Sequence, residues 1–174
     1  MSKLFVDDIV EKTSNHGVHI PGHVVQHVFA QKTDNATSLS TSSTSHVTTG
    51  LSVTITPKFS NSIIIGWLTY NFWFSGGSTA DYSVATVYRG STNLASLSNS
   101  VASTPANGAQ DMQWNNSQNP MAGYNSSVHF DFKDAPATTS ATTYTLYCRT
   151  YGGATMSVNY ANQLATISVM EIAQ

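Results

Sequence analysis

Residues 63–74 read IIIGWLTYNFWF, the most hydrophobic stretch of the 174-residue chain. Side chains alternate between the two faces of a β-strand. One face would carry Ile64, Leu68, Tyr70, Phe72 and Phe74, with Gly66 as a gap. The other face would carry Ile63, Ile65, Trp67 and Trp73. An ordinary sandwich strand has only one apolar face, so this stretch predicts a strand whose outer face needs a second dry partner.

Strands of the ordinary kind surround this stretch. Residues 51–56 alternate cleanly between apolar and hydroxyl side chains, which is the pattern of a half-buried strand. Other segments rich in β-branched and aromatic residues are 24–29, 82–89, 127–132, 143–151 and 165–172. Gly, Pro and Asn separate these segments, and no apolar stripe has helical spacing. The sequence therefore predicts an all-β protein, an antiparallel β-sandwich of the jelly-roll kind.

The composition narrows the class of function. Charged residues make up only 9% of the chain, against roughly 25% in a typical soluble protein. Seven Lys and Arg residues and a net charge of −2 give no electrostatic footprint for nucleic acid. The single cysteine, Cys148, cannot close an intramolecular disulfide. Stability must therefore come from packing, from association or from both.

The order of polar and apolar segments suggests three parts. Residues 1–31 form a short N-terminal β arm, residues 32–47 a Ser/Thr-rich linker or loop, and residues 48–174 the β domain. The N-terminus is acidic where a secretory signal would be apolar, and no stretch is long enough to span a membrane. We therefore expect synthesis in a cytoplasm. The long polar stretch 91–124 is expected to contain one further strand, near residues 109–114.

Reactive groups are scarce, and the sequence predicts neither enzymatic activity nor a cofactor. Cys148 continues the inward alternation of Tyr144 and Leu146, so its thiol should be buried and inert. The acidic pairs Asp7-Asp8 and Asp131 with Asp134 fit a solvated strand edge or turn better than acid/base chemistry. No phosphate-binding glycine motif, nucleophile elbow or zinc-spaced cysteine set occurs.

Four histidines, His16, His19, His23 and His27, lie close together in the sequence. Pro21-Gly22 interrupts any helix that would gather them on one face, and in an extended arm they are too far apart for one ion. Only a symmetric trimer could bring three copies of one histidine together. We therefore predict surface or interface histidines and no metal site.

The segment 111–124 mixes aromatic and amide side chains, a combination that stacks on sugars and hydrogen-bonds to them. Its candidate glycan or receptor contacts are Trp114, Asn115, Asn116 and Tyr124. The alternative is that the aromatics only fix this loop to the β domain. The sequence leaves both readings open.

Eight segments together resemble tailed-phage virion proteins, above all those of marine and cyanobacterial phages, and the likeness covers most of the chain. They are residues 4–10 (LFVDDIV), 18–26 (VHIPGHVVQ), 49–57 (TGLSVTITP), 62–65 (SIII), 87–92 (VYRGST), 134–136 (DAP), 143–147 (TYTLY) and 165–172 (ATISVMEI). These are strand and turn patterns and contain no reactive site. The members of this family are fibre, head-fibre and decoration proteins.

This resemblance implies a jelly-roll-like domain, commonly a homotrimer, with an N-terminal piece that docks on the capsid or tail. It places the chain on the virion surface as a non-enzymatic fibre or capsid decoration protein. The chain lacks the extended shaft of a long tail fibre. The alternative is a receptor-binding tip that recognises host cell-surface glycans through residues 111–124. A third option is a glycan-degrading enzyme on the same scaffold, which the few acidic residues in the loops disfavour. In the trimer, the expected interface residues are Ile63, Ile65, Trp67 and Trp73.

Overall fold

The computed structural model describes residues 8–10, 19–32, 39–75, 82–94, 124–151, 155–159 and 163–174. The regular elements of these ranges are all β-strands. The described residues contain no helix long and apolar enough to cross a membrane. They are β1 (Val24–Lys32), β2 (Leu39–Thr41), β3 (Val47–Ile55), β4 (Ile63–Ser75), β5 (Tyr82–Arg89), β6 (Thr92–Asn93), β7 (Tyr124–Asp134), β8 (Thr142–Tyr151), β9 (Thr155–Val158) and β10 (Ala165–Ile172).

The strands form two antiparallel sheets that pack as a sandwich. In sheet A, β10 and β9 pair in succession with β4, while β1 and β2 pair in succession with β10 and β9. Each of these two couples is thus one interrupted strand, and the order across sheet A is β1/β2, β10/β9, β4, β7. Sheet B has the order β3, β8, β5, β6. If β1/β2 counts as strand 1 and β9/β10 as strand 8, the strands can be numbered 1 to 8 in chain order. Sheet A then has the order 1-8-3-6 and sheet B the order 2-7-4-5, which is the jelly-roll arrangement. The predicted fold class is therefore confirmed.

The core lies between the sheets, and its alternation follows the sequence. In β4, Ile64, Leu68, Tyr70 and Phe72 are buried. They face β3, β5 and β8 of sheet B, whose buried side chains include Leu51, Val53, Val87, Leu146 and Cys148. Because both sheets contribute every second residue, one continuous apolar layer is formed.

Gly66 leaves a gap in the inner face of β4, and Phe132 of the neighbouring strand β7 fills it. The two residues are register partners. A Cβ atom on Gly66 would lie 2.2 Å from Cζ of Phe132, closer than any real contact. The Phe132 ring is buried and packs against Tyr144 of sheet B, with ring centroids 5.3 Å apart. Glycine at this position is thus a packing requirement.

A charged group joins the two sheets at one end of the sandwich. Arg89 Nη1 of β5 donates to both carboxylate oxygens of Asp134 in β7, at 2.8 and 2.9 Å, and the Tyr144 hydroxyl donates to the same carboxylate at 2.8 Å. Burial, and then the bond to Asp134, raises the pKa of Tyr144 well above its usual value. Asp131 is exposed, as the sequence predicted, whereas Asp134 is not a solvated edge residue. Its carboxylate is mostly covered because it has two partners from the opposite sheet.

A second buried carboxylate, Glu171 of β10, organises the turn before β4. It accepts hydrogen bonds from the backbone N–H groups of Lys58 and Phe59 and from the side chains of Ser62 and Gln26, at 2.6 to 3.1 Å. The residue has no exposed surface. Burial alone would raise the pKa of Glu171, but these hydrogen bonds together hold it below its usual value. The turn and the last strand are therefore joined by an ionised group.

The lowered pKa of Glu171 predicts acid sensitivity. A carboxylate with a depressed pKa contributes stability that is complete above its unfolded pKa, about 4.3, and lost as the pH falls through the folded value. We expect the urea midpoint of the wild-type chain to fall between about pH 5 and pH 3. The fall should be smaller in Glu171→Gln, which has no carboxylate to titrate at this site. Equal falls in both proteins would contradict this role.

Parts of the predicted N-terminal arm and of the predicted linker lie in strands of sheet A. Residues 24–31, assigned to a separate arm from the sequence, form most of β1 and pair with β10 inside sheet A. The predicted linker 32–47 contains β2, which pairs with β9. The sequence predicts a boundary here because residues 33–49 are rich in Ser, Thr, Asn and Asp and have no apolar periodicity. The expected strand at residues 109–114 lies outside the described residues.

Candidate functional site

The outer side of sheet A carries the most prominent exposed apolar surface among the described residues. Val24 and Phe29 of β1 are each 52% exposed and Ile65 of β4 is 39% exposed. Half-buried side chains of the same face complete the patch. We call this set the outer apolar face; it consists of Val24, Phe29, Ile63, Ile65, Trp67, Met170 and Ile172.

Strand register brings these side chains together. Ile63 of β4 lies opposite Ile172 of β10, and Ile65 lies opposite Met170. Trp67 is opposite Ser168, whose other register partner is Phe29 of β1. Paired residues of an antiparallel ladder point to the same side. The face is thus assembled from three strands that are far apart in sequence.

The four interface residues predicted from the sequence do not all fall in this patch. Ile63, Ile65 and Trp67 lie in it together. Trp73 points to the same side of β4, but the more polar outward positions Thr69 and Asn71 lie between it and Trp67. The structure adds Phe29, Met170 and Ile172. Phe29 could have been found in the sequence as an outward aromatic of a predicted strand, but its neighbours depend on pairing that the sequence does not reveal.

The described histidines of the N-terminal segment lie at separate positions on the sandwich. The His27 ring stacks on Trp67 at a centroid distance of 5.6 Å and an angle of 11°, so it covers part of the outer apolar face. His19 instead packs edge-on against Phe59, and its Nε2 lies 2.9 Å from the Gln174 carbonyl oxygen. In the described ranges, no cluster of three or more His, Cys, Asp or Glu residues is arranged to hold a metal ion. His16 lies outside those ranges.

A polar row borders the patch along β7. Its outward side chains include His129, Asp131 and Lys133, and all three are exposed. His129 lies 3.4 Å from the Asp131 carboxylate and 3.0 Å from the Thr69 hydroxyl. An apolar centre with a polar rim is the usual anatomy of a protein interface.

Sheet B presents a different outer surface. Its outward residues include Thr48, Ser52, Thr54, Thr143 and Thr145. Thr54 and Thr143 join their hydroxyl groups at 2.8 Å. The hydroxyl groups of these five residues can be hydrated without a protein partner, unlike the apolar side chains on the outer side of sheet A.

The candidate glycan contacts cannot be placed in this geometry. Trp114, Asn115 and Asn116 lie outside the described residues, and the side chain of Tyr124 is not described although its backbone begins β7. Their role stays a prediction from the sequence. Cys148 is described: its thiol is buried in the core, and burial raises its pKa to about 12.

Comparison with known proteins yields distant likenesses only. No protein-family model and no curated protein matches the chain. Among solved structures, a mutant VP2 protein of infectious bursal disease virus in derived T=1 particles is 13% identical, with a TM-score of 0.40 over 96% of this chain and 41% of that one. The Gx strain of the same virus gives 17% identity and a TM-score of 0.37 over 87% and 39% of the two chains. The chain thus spans about two fifths of these proteins, and likenesses at such TM-scores carry no argument about its role.

Proposed function

We propose that this chain is a non-enzymatic structural protein of a tailed-phage particle, and that its copies assemble through the outer apolar face of sheet A. The observation that carries the proposal is this face itself. Both sides of β4 are apolar, but the sandwich covers only the inner one. A second copy of the chain would cover the other.

The energetics favour association. Fully burying one large apolar side chain contributes roughly 1.5 to 3 kcal/mol. The face offers Phe29, Ile65 and Trp67 at its centre, and each copy would bring the same set. Summed over several copies, this contribution can offset the entropy lost on assembly. The polar row of β7 would form the rim.

The number of copies follows from the resemblance. Closed symmetry alone makes a dimer the most common assembly, whereas the phage proteins that this sequence resembles are commonly homotrimers. We therefore propose a homotrimer. Residues 1–23 remain outside the described strands, and we propose that they dock the trimer on the capsid or tail. The jelly-roll topology supports a particle component by analogy of fold, because viral capsid domains often use it.

The chemistry of the described residues supports a role without turnover. The two buried carboxylates are engaged in the fold: Asp134 is held by Arg89 and Tyr144, and Glu171 is held by the turn before β4. The Cys148 thiol is protonated at neutral pH because burial raises its pKa. None of these groups is available to a substrate.

Imaging tests the particle assignment directly. A labelled antibody against the chain should decorate the outside of intact, purified particles of the virus that encodes it. The pattern of decoration would distinguish a head site from a tail site. Absence of the chain from purified particles, measured by mass spectrometry, would refute the assignment.

A further inference from the structure

The outer face of sheet B carries one cluster that departs from its hydroxyl-rich surroundings. Tyr147 and Arg149 point outward from β8, two residues apart, and Tyr88 points outward from the neighbouring strand β5. His46 lies just before β3, beside the same end of β8. We call these four half-buried residues the Arg149 cluster.

The aromatic part of the cluster is held in place by its own contacts. The rings of Tyr88 and Tyr147 are 4.2 Å apart between centroids, at 34° to each other. The Tyr88 hydroxyl reaches the His46 ring, with 3.3 Å between its oxygen and Nδ1, and the two rings meet edge to face at 5.7 Å. These contacts present a fixed aromatic surface beside Arg149.

Arg149 is a half-buried cation that has no anionic partner among the described residues. No hydrogen bond or ion pair joins it to another residue of the described ranges, and its buried Nε has no acceptor. Arg89, on the inner face of the same sheet, is by contrast held by Asp134. Arginine is rarely buried unless it is paired, so Arg149 is suited to bind an anion that the described residues do not supply.

His46 supplies no negative charge to Arg149, and its own ring has a buried nitrogen atom without a partner among the described residues. Burial, and then the charge of Arg149, lowers its pKa to about 4, so the ring is neutral at pH 7. Its buried Nε2 has no hydrogen-bond partner in the described part of the chain. The cluster thus combines one cation, a neutral imidazole and two tyrosines.

The surroundings favour a sugar over a bare anion. Thr86 and Asn93 lie beside the cluster, where the fully buried Thr86 hydroxyl donates a 2.8 Å hydrogen bond to Oδ1 of the half-buried Asn93. Thr48 and Thr145 flank Tyr147. Hydroxyl groups both donate and accept hydrogen bonds, and tyrosine offers an apolar ring face with a polar tip. A nucleic acid is disfavoured because the cluster holds a single arginine in a chain of net charge −2.

We infer that the Arg149 cluster binds a carboxylated sugar, with the carboxylate on the Arg149 guanidinium and the sugar ring against Tyr147 and Tyr88. A carboxylate accepts strong, charge-assisted hydrogen bonds from a guanidinium. This site lies on the opposite sheet from the outer apolar face, so assembly through that face would not cover it. It is also distinct from the segment 111–124 that the sequence suggested for glycans.

The test compares two sugars that differ only in the carboxylate. In NMR titrations of the whole chain, methyl β-D-glucuronide should bind at least tenfold more tightly than methyl β-D-glucoside. Arg149→Gln should remove this difference, and Tyr147→Ala should weaken binding of the glucuronide. Lys133→Gln is the matched control because it removes one positive charge from the other sheet, and it should bind like the wild type. Circular dichroism would establish that each variant is folded.

Several results would overturn the inference. Absence of glucuronide binding, or equal binding of the glucuronide and the glucoside, would refute the carboxylate site. Unchanged binding in Arg149→Gln, or an equal loss in Lys133→Gln, would show that Arg149 is not the anchor. If sodium acetate competes as well as the glucuronide at equal concentration, the cluster binds any carboxylate and the sugar assignment is wrong.

Discussion

We expect Gly66→Ala to lower the free energy of unfolding by about 3 kcal/mol, the upper end of the usual cost of overpacking. The added methyl group would lie within 2.8 Å of three atoms of the Phe132 ring. That ring cannot swing aside because it is buried and backed by Tyr144. Either β7 must shift along its whole pairing with β4, or the two sheets must separate locally. Urea unfolding followed by tryptophan fluorescence measures the loss.

A double-mutant cycle shows whether the clash is the cause. Phe132→Ala alone should cost roughly 3 to 5 kcal/mol because it empties the core position. In the double variant the two costs should not add, since the methyl group then occupies part of the space that the ring leaves. Additive costs, or a Gly66→Ala protein within about 0.5 kcal/mol of the wild type, would show that the gap is not filled as described.

The second large effect is expected at Glu171. Glu171→Ala should lower the free energy of unfolding by about 3 to 5 kcal/mol, because removing one member of a buried, hydrogen-bonded charge network leaves the others unpaired. The stranded groups are the N–H groups of Lys58 and Phe59 and the Ser62 hydroxyl. The turn before β4 should loosen first, which hydrogen exchange of residues 58–62 would detect.

Glu171→Gln is the matched control for this prediction. It keeps the size of the side chain and one acceptor oxygen but places an amide N–H₂ group toward donors. Its cost should be smaller than that of Glu171→Ala, and it should shrink as the pH falls below about 5, because the wild-type carboxylate loses its stabilising effect when it is protonated. A Glu171→Ala protein that loses less than about 1 kcal/mol would show that water replaces the carboxylate at little cost.

The strands with clear alternation were predictable from the sequence. The predicted segments 82–89 and 165–172 coincide with β5 and β10, and β4 is one residue longer than predicted. The short strands β2, β6 and β9 were missed because Ser, Thr and Asn dominate two of them and each has few residues. Their strand conformation depends on partners from distant parts of the chain. Propensity gives little signal in such cases.

The candidate site was predictable only along one strand. Alternation within β4 identified Ile63, Ile65 and Trp67 as outward apolar residues, but Phe29 and Met170 join them through register with β1 and β10. Alternation also placed Trp73 on this side of β4, although the outward positions Thr69 and Asn71 separate it from the patch. Glu171 did carry a signal, since it continues the inward series of Ala165, Ile167 and Val169. An acidic residue at a buried strand position requires donors, which the sequence alone could not name.

The most direct test of the proposed assembly is the mass of the chain in solution, measured by light scattering at micromolar concentration. The wild-type protein should have three times the 18.7 kDa mass of one chain. Trp67→Lys should be a folded monomer, because the assembly would otherwise bury a charge without a partner. Thr145→Lys, the same type of change on the outer face of sheet B, should stay trimeric. A wild-type protein that is monomeric, or a Trp67→Lys protein that is still trimeric, would contradict assembly through the outer apolar face.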